Sequence, residues 1–368
     1  MELKGLKYKI AISLIPGIGH VYAKKLISYT GSPEAVFKES KKNLLLIPDI
    51  GKTLPGKIAD KTILEKAEKE VEFISKFKLK AHFYLDPDYP DRLRHCHDAP
   101  IILFQKGNTN FNIQKVINIV GTRRATQRGR DLCKQFISDL SERHPDILIV
   151  SGLAYGIDIS AHKAALNSGL NTVAVLAHGL STIYPSVHRD IARKIIQQGS
   201  LVTEFLSYEL PEKPNFVKRN RIIAGLSDAT IIVESGKKGG ALITADLANS
   251  YNRDVFAFPG RVNDTWSKGC NRLILTNRAA LIEDVSNFEY IMGWAPQEHK
   301  TVQKELFVKL EGEEEKLVSI LKEHDHLSLD KISLLSGMPV SSVSSTLLSL
   351  EFKGMVKSLP GKVYSKNF

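Results

Sequence analysis

The chain has 368 residues, 43% hydrophobic and 25% charged, which is long enough for two or three domains with real cores. No low-complexity tract argues for disorder, and no apolar run approaches the ~20 residues that span a bilayer, so composition excludes a disordered chain and a membrane-spanning helix. The formal net charge of +11 and pI near 9.3 favour a polyanionic partner, the alternative being a solvated lysine-rich surface. The three cysteines, Cys96, Cys133 and Cys270, form neither a C-x-x-C pair nor a metal set, and the N-terminus lacks a signal peptide's apolar core. A reduced, cytoplasmic protein with no resident metal or cofactor is expected.

Residues 1–80 carry 16 lysines and no arginine against nine carboxylates. Helical patterns alternate there with short glycine turns. Pro16-Gly17-Ile18-Gly19 before a pattern from His20 to Tyr29 resembles a helix-hairpin-helix motif, and Pro48-Asp49-Ile50-Gly51 is a poorer second copy. Glycines in such a turn let backbone amides approach a DNA phosphate. A tight αα-hairpin that packs only against its neighbours fits the same residues. Residues 81–112 read as an extended loop rich in Pro, Asp and aromatics. His95 and His97 flank Cys96, but the spacing does not suit a closed zinc site.

From Lys115 the pattern becomes strand–helix–strand. Val116–Val120, Ile147–Val150, Val173–Leu176, Leu201–Val202, Ala229–Val233 and Val255–Phe258 are short, β-branched and apolar on both faces. Such strands, joined by helical stretches of about a dozen residues, predict an α/β domain with a mainly parallel sheet covered on both faces. Ligands of these sheets sit at the carboxyl ends of the strands. After Asp284 the pattern lapses into a linker, roughly residues 286–312. Helical patterns over Glu313–Glu323, Ser328–Ser336 and Val340–Glu351 then precede a β-hairpin over Met355–Tyr364, a winged-helix layout. Its third helix, SSVSSTLLSLE, is almost free of Arg and Lys and departs from a base-reading helix. Protein interaction or a structural role suits it better. The expected domains are therefore 1–80, 81–285 and 313–368, with a linker at 286–312.

The candidate chemistry lies in the turns at the strand ends. Gly121-Thr122-Arg123-Arg124 follows the first strand, Ser151-Gly152 and Gly156-Ile157-Asp158 the second, and His178-Gly179 with Tyr184-Pro185 the third. The basic cluster Lys218, Arg219, Asn220 and Arg221 precedes the strand Ala229–Val233, and Gly236–Gly240 follows it. Backbone amides, guanidinium forks and the hydroxyls of Ser151 and Thr244 would all suit phosphate. Neither the dinucleotide fingerprint nor a phosphate-binding P-loop is present. Asp158 and His162 stand at i, i+4 and could form an acid/base pair, although a capping aspartate above a packed histidine fits as well.

The blocks IVGTRRAT, VSGLAYGIDISAHKAAL, PNFVKRNRIIAGLSDATIIVES, GGALITADLA and FAFPG with SKGCNRLI stand in order over most of residues 80–285. They closely resemble the DNA-processing protein A family (DprA, also called Smf). The resemblance implies an extended Rossmann-like domain, flanked by helical (helix-hairpin-helix or SAM-like) and winged-helix domains, that binds single-stranded DNA as a homodimer. It also implies a non-enzymatic role: protecting incoming strands in natural transformation and loading a RecA-type recombinase on them. The family's DNA-contacting positions fall here on Arg123, on Ser151, Gly152 and Gly156, on Phe216, Lys218, Arg219, Asn220 and Arg221, and on Gly239, Gly240 and Thr244. Phe216 would stack a base, or else pack in the core. Arg219 and Arg221 alternate along a helix, so one of them would face the core or pair with an acid. Lys237-Lys238 stands where small residues are expected in the glycine turn. The alternative reading is a nucleotide-processing or nucleotide-sensing protein on a similar fold.

Overall fold

The computed structural model describes residues 3–49, 51–294, 310, 312–324, 326–359 and 361–366. These form two compact units, one ending at residue 294 and one beginning at residue 310. The first unit is built on a sheet of nine strands among the described residues: β1 (Lys80–Phe83), β2 (Ile102–Gly107), β3 (Val116–Val120), β4 (Leu148–Ser151), β5 (Thr172–Val175), β6 (Ser200–Thr203), β7 (Ala229–Ile232), β8 (Asp254–Ala257) and β9 (Ala280–Leu281). Their spatial order is β1-β2-β6-β5-β4-β3-β7-β8-β9. Strands β3 to β9 are mutually parallel, as the buried β-branched runs predict.

Alternation along each strand assigns the two faces. Val116 and Val120 of β3 join a core with Ile222, Ile223 and Ala245, from the helices Lys213–Gly225 and Gly240–Ser250. Ile117 and Ile119 join the opposite core with Phe136, Ile137 and Ala161, from the helices Gln127–Arg143 and Ile157–Asn167. The helix Val285–Met292 runs into the expected linker and buries Phe288 against Phe136 and Phe256, at 5.8 and 5.1 Å between ring centroids. The rest of that expected linker, residues 295–309, lies outside the described residues.

The segment 81–112, read from sequence as an extended loop, instead supplies β1 and β2. These pair antiparallel with each other, and β2 also pairs antiparallel with β6. Only the ladder offered by β6 reveals them, because their Pro- and Asp-rich surroundings break any local periodicity. The helices from Leu3 to Lys76 do not form a separate core. Ile10, Leu26 and Ile63 share one apolar cluster with Phe83, Ile101, Phe104 and Leu206 of the sheet domain.

The second unit contains the helices Glu313–Glu323, Leu329–Ser336 and Val340–Phe352, and a sheet of β10 (Leu327–Ser328), β11 (Val356–Leu359) and β12 (Val363–Lys366) in the order β10-β12-β11. Leu317, Leu321, Ile332, Val343, Leu347 and Leu350 form its core. This is the winged-helix layout expected from sequence. The third helix turns polar groups onto the acidic start of the first: Ser342 Oγ donates to Glu313 at 3.1 Å, and Ser349 Oγ to Glu314 at 2.9 Å. No single helix among the described residues is long and apolar enough to cross a membrane.

Candidate nucleic-acid interface

β3 and β7 are neighbours at the centre of the parallel sheet, yet β3 continues to β4 on one side and β7 to β8 on the other. The connections after these two strands leave in opposite directions, and the crevice between them is where such sheets take ligands. A cleft of about 850 Å3 opens there, lined by Gly121, Arg123, Phe216, Arg219, Lys238 and Gly239 among others.

Its walls are locked turn against turn. Thr122 N donates to Glu234 O at 2.7 Å. The buried Glu234 carboxylate, at the end of β7, accepts from Thr126 N at 2.9 Å and from Thr126 Oγ1 at 2.5 Å. Thr126 Oγ1 in turn caps the helix Gln127–Arg143 by accepting from Gly129 N at 3.1 Å. Gly156 has φ +79°, and a Cβ there would come within 2.1 Å of Thr122 O. Gly152 is equally confined, since a Cβ would lie 2.0 Å from Arg219 Nη1. These two glycines therefore serve close packing of the turns. Gly239 and Gly240 differ: they are exposed, and a Cβ at either would meet only ordinary contacts, at 3.7 and 3.6 Å. Gly239 caps the helix Gly240–Ser250, so backbone amides at that helix start are open to an anion.

The expected cations divide into two sets. Arg123 is exposed, with its guanidinium 4.9 Å from the centroid of Phe216. Phe216 is half-buried in the cleft and meets Tyr184 at 5.8 Å and 64°. His178 positions Tyr184, whose N–H donates to His178 Nε2 at 3.2 Å while Nδ1 bonds Gly179 O at 2.8 Å. Burial lowers the His178 pKa, against the Gly179 bond, which favours the protonated ring. Lys213 and Lys238 are exposed and line the cleft, whereas Arg124 and Lys218 are exposed outside its lining.

Arg219 is buried at the cleft floor and clamps two strand ends, donating Nη1 to Gly152 O at 2.7 Å and to Val175 O at 2.6 Å. Burial lowers its pKa to about 10 despite Asp158 nearby, so the guanidinium stays charged at neutral pH. Asp158 is pushed up by burial, with the Arg219 charge opposing. Asn220 reaches the next turn, its Nδ2 donating to Gly240 O at 3.3 Å. Arg221 points away from the cleft. It is buried, pairs with Glu204 and donates to Asp98 O, beside His20 of the N-terminal helices. Burial opposes ionisation of Glu204, but the His20 bond and the Arg221 charge outweigh it and hold its pKa below the ordinary value. A second tie joins those helices to the loop beneath the cleft: Glu70 accepts from Ser207 N at 3.0 Å and from Ser207 Oγ at 2.7 Å.

The two hydroxyls expected to meet phosphate have partners within the fold. Ser151 Oγ is buried and donates to Ile119 O at 2.6 Å, and Thr244 Oγ1 donates to Gly240 O at 3.1 Å. His162 does not face Asp158. It is fully buried against β5, with Nδ1 2.8 Å from Thr172 Oγ1, and burial pushes its pKa down to about 3. Lys213 and Trp266 line the cleft without having been singled out from sequence, and Tyr184, named there only as part of its turn, lines it too. The HGLSTIYP turn held a signal for Tyr184, whereas nothing local marks Trp266.

The family model described as DNA recombination-mediator protein A matches residues 80–292, more than half of the chain. The chain belongs to the DNA-processing protein A family. A second match, to the DprA winged helix domain, covers residues 308–362. Protein Smf of Synechocystis is 30% identical, with the alignment covering 98% of each chain. DNA processing protein DprA of Streptococcus pneumoniae is 39% identical over 54% of this chain and 69% of its own. An X-ray structure of DprA from Streptococcus pneumoniae superposes with TM-score 0.64 at 31% identity, covering 77% of this chain and 97% of that one. A DprA structure from Helicobacter pylori, described for its single-stranded DNA binding mode, superposes with TM-score 0.53 at 29% identity, covering 59% and 97%. DprA relatives thus match both units, and the Rossmann-like unit carries the cleft.

Proposed function

We propose that the cleft binds single-stranded DNA with little regard to sequence. On this reading the protein is a non-enzymatic, cytoplasmic recombination mediator. It protects incoming strands and loads a RecA-type recombinase on them during natural transformation. The observation that carries the proposal is the pairing of exposed cations with a half-buried ring: Arg123 lies 4.9 Å from Phe216, with Lys213 and Lys238 on the same cleft. Cations track the phosphates of any strand, and a ring stacks any base.

Arg123, Lys238 and the amides at Gly239 and Gly240 are the phosphate ligands in this proposal, with Arg124 and Lys218 extending the track. Gly121, Gly152, Gly156, Ser151 and Thr244 hold the turns in shape. Arg219 supplies fixed positive charge from below, and Asn220 braces the glycine turn. Arg221 secures the N-terminal helices. The protein acts as a homodimer through the helices after β7 and β8, where Ile243 and Leu275 are 38% and 83% exposed. The winged helix serves protein contact, since Ser342 and Ser349 of its third helix are engaged within the domain.

Fluorescence anisotropy with labelled oligo-dT and its duplex form tests the reading. Tighter binding to the single strand, with log affinity falling steeply against log salt, is expected. Equal affinity for duplex, or salt-independent binding, contradicts it. Release of free base from nucleoside monophosphates would favour a nucleotide-processing enzyme instead.

A further inference from the structure

We propose that Trp266 is a second nucleobase platform, on the flank of the cleft opposite Phe216 and Tyr184. The inference rests on the single-strand reading above and adds a residue to it. Trp266 stands in the loop after β8, at the carboxyl edge of the sheet, and lines the same cleft as Arg123 and Phe216. Its backbone is fixed: Ser235 N donates to Trp266 O at 2.7 Å, and Ser267 N to Asp264 O at 3.1 Å. The indole lies against the glycine turn, where a Cβ on Gly236 would meet Cε3 and Cζ3 at 3.3 Å. The bare glycine therefore gives the ring its seat.

The two tryptophans of the chain contrast sharply. Trp294 is packed against Phe288 at 5.4 Å and under Lys115 at 5.2 Å. Trp266 is half-buried, and its indole has no ring, cation or hydrogen-bond partner among the described residues. A rigid amphipathic ring held at the wall of a cationic cleft is the kind of surface on which a base stacks. The cleft lining also holds the exposed cation Lys238, and its acid Asp246 is paired with Arg278.

Phe216 lies by Arg123 of the turn after β3, and Trp266 lies on Gly236 of the turn after β7, so the two rings stand on different turns of one cleft.

A Trp294→Phe protein leaves Trp266 as its sole indole, and oligo-dT titrated into it should quench the emission in step with anisotropy. In addition, Trp266→Ala should weaken oligo-dT binding about five- to 150-fold, the range equivalent to ~1–3 kcal/mol for one base stack. Trp266→Phe should retain most of the affinity. An oligonucleotide of abasic sugar-phosphate should bind the wild type and Trp266→Ala alike. Unchanged emission at saturation, or wild-type affinity in Trp266→Ala, overturns the inference while leaving the single-strand reading intact. Failure of the Trp294→Phe protein to bind any single strand sinks that reading and this inference with it. Should Trp266→Ala fail to fold, the quench and Trp266→Phe still decide the matter.

Discussion

Arg219→Met is the most informative substitution, because it separates a charge that holds the fold from the exposed cations proposed to meet DNA. It keeps the length of the side chain and removes the guanidinium. The Gly152 and Val175 carbonyls, held at 2.7 and 2.6 Å, lose their donor. A hydrogen bond from a charged group is worth about 1.5–3 kcal/mol, so two give roughly 3–6. The buried Asp158, which is not in ion-pair contact with Arg219, also loses an opposing charge that favours its ionised form. A total of about 3–5 kcal/mol is expected. Asp158 limits its share by taking up a proton, since its pKa is already raised by burial. Adding Asp158→Asn to Arg219→Met should therefore restore part of the loss, and the two changes should not be additive. Urea unfolding followed by tryptophan fluorescence reads this directly, because Trp266 and Trp294 both lie in the first unit. A loss below about 1 kcal/mol, or strict additivity in the double variant, would refute the clamp.

Arg123→Ala should lower affinity for all single-stranded sequences alike and reduce the salt slope by about 0.7, one phosphate's worth. A loss confined to one sequence would argue against backbone tracking. Gly156→Ala combines φ +79° with a 2.1 Å clash on Thr122 O, so a loss of about 1–3 kcal/mol in stability is expected from the strain alone; wild-type stability would show that the turn relaxes freely. His162 has its pKa held at about 3 against the ordinary 6.5, so the unfolded chain takes up a proton that the folded one refuses. Its contribution is fully present above pH 6.5 and falls by about 1.4 kcal/mol per pH unit as pH drops from there towards 3. Urea unfolding at stepped pH should show a shallower decline for His162→Gln than for the wild type, and identical slopes would remove the buried histidine as the cause.

Much of the fold is legible in the sequence because each central strand is a short β-branched run buried on both faces. Val116–Val120 matches β3 residue for residue, β4 to β8 shift by a single residue at their ends, and the two-residue β9 is not anticipated. The winged helix is equally legible, since its core residues keep helical spacing between clear breaks. β1 and β2 are not, because an antiparallel edge pair depends on what β6 offers it. The site divides in the same way. Glycines, cations and a phenylalanine at strand ends mark the edge at which the cleft opens. Residue type and order, however, cannot say which way a side chain leaves its helix. Within KRNR, Lys218 faces solvent, Arg219 the cleft floor and Arg221 the N-terminal helices.

By itself, the sequence determined a cationic chain, a parallel sheet with glycine-rich turns at its carboxyl edge, a terminal winged helix and the family resemblance. These are consequences of local pattern. Tertiary structure alone decided that Gly152 and Gly156 are packing glycines while Gly239 and Gly240 stay open. It also turned Ser151 inward and brought Trp266 to the cleft. Such outcomes depend on distances between turns that are far apart in the chain, and those distances exist only once β3, β4, β7 and β8 lie side by side.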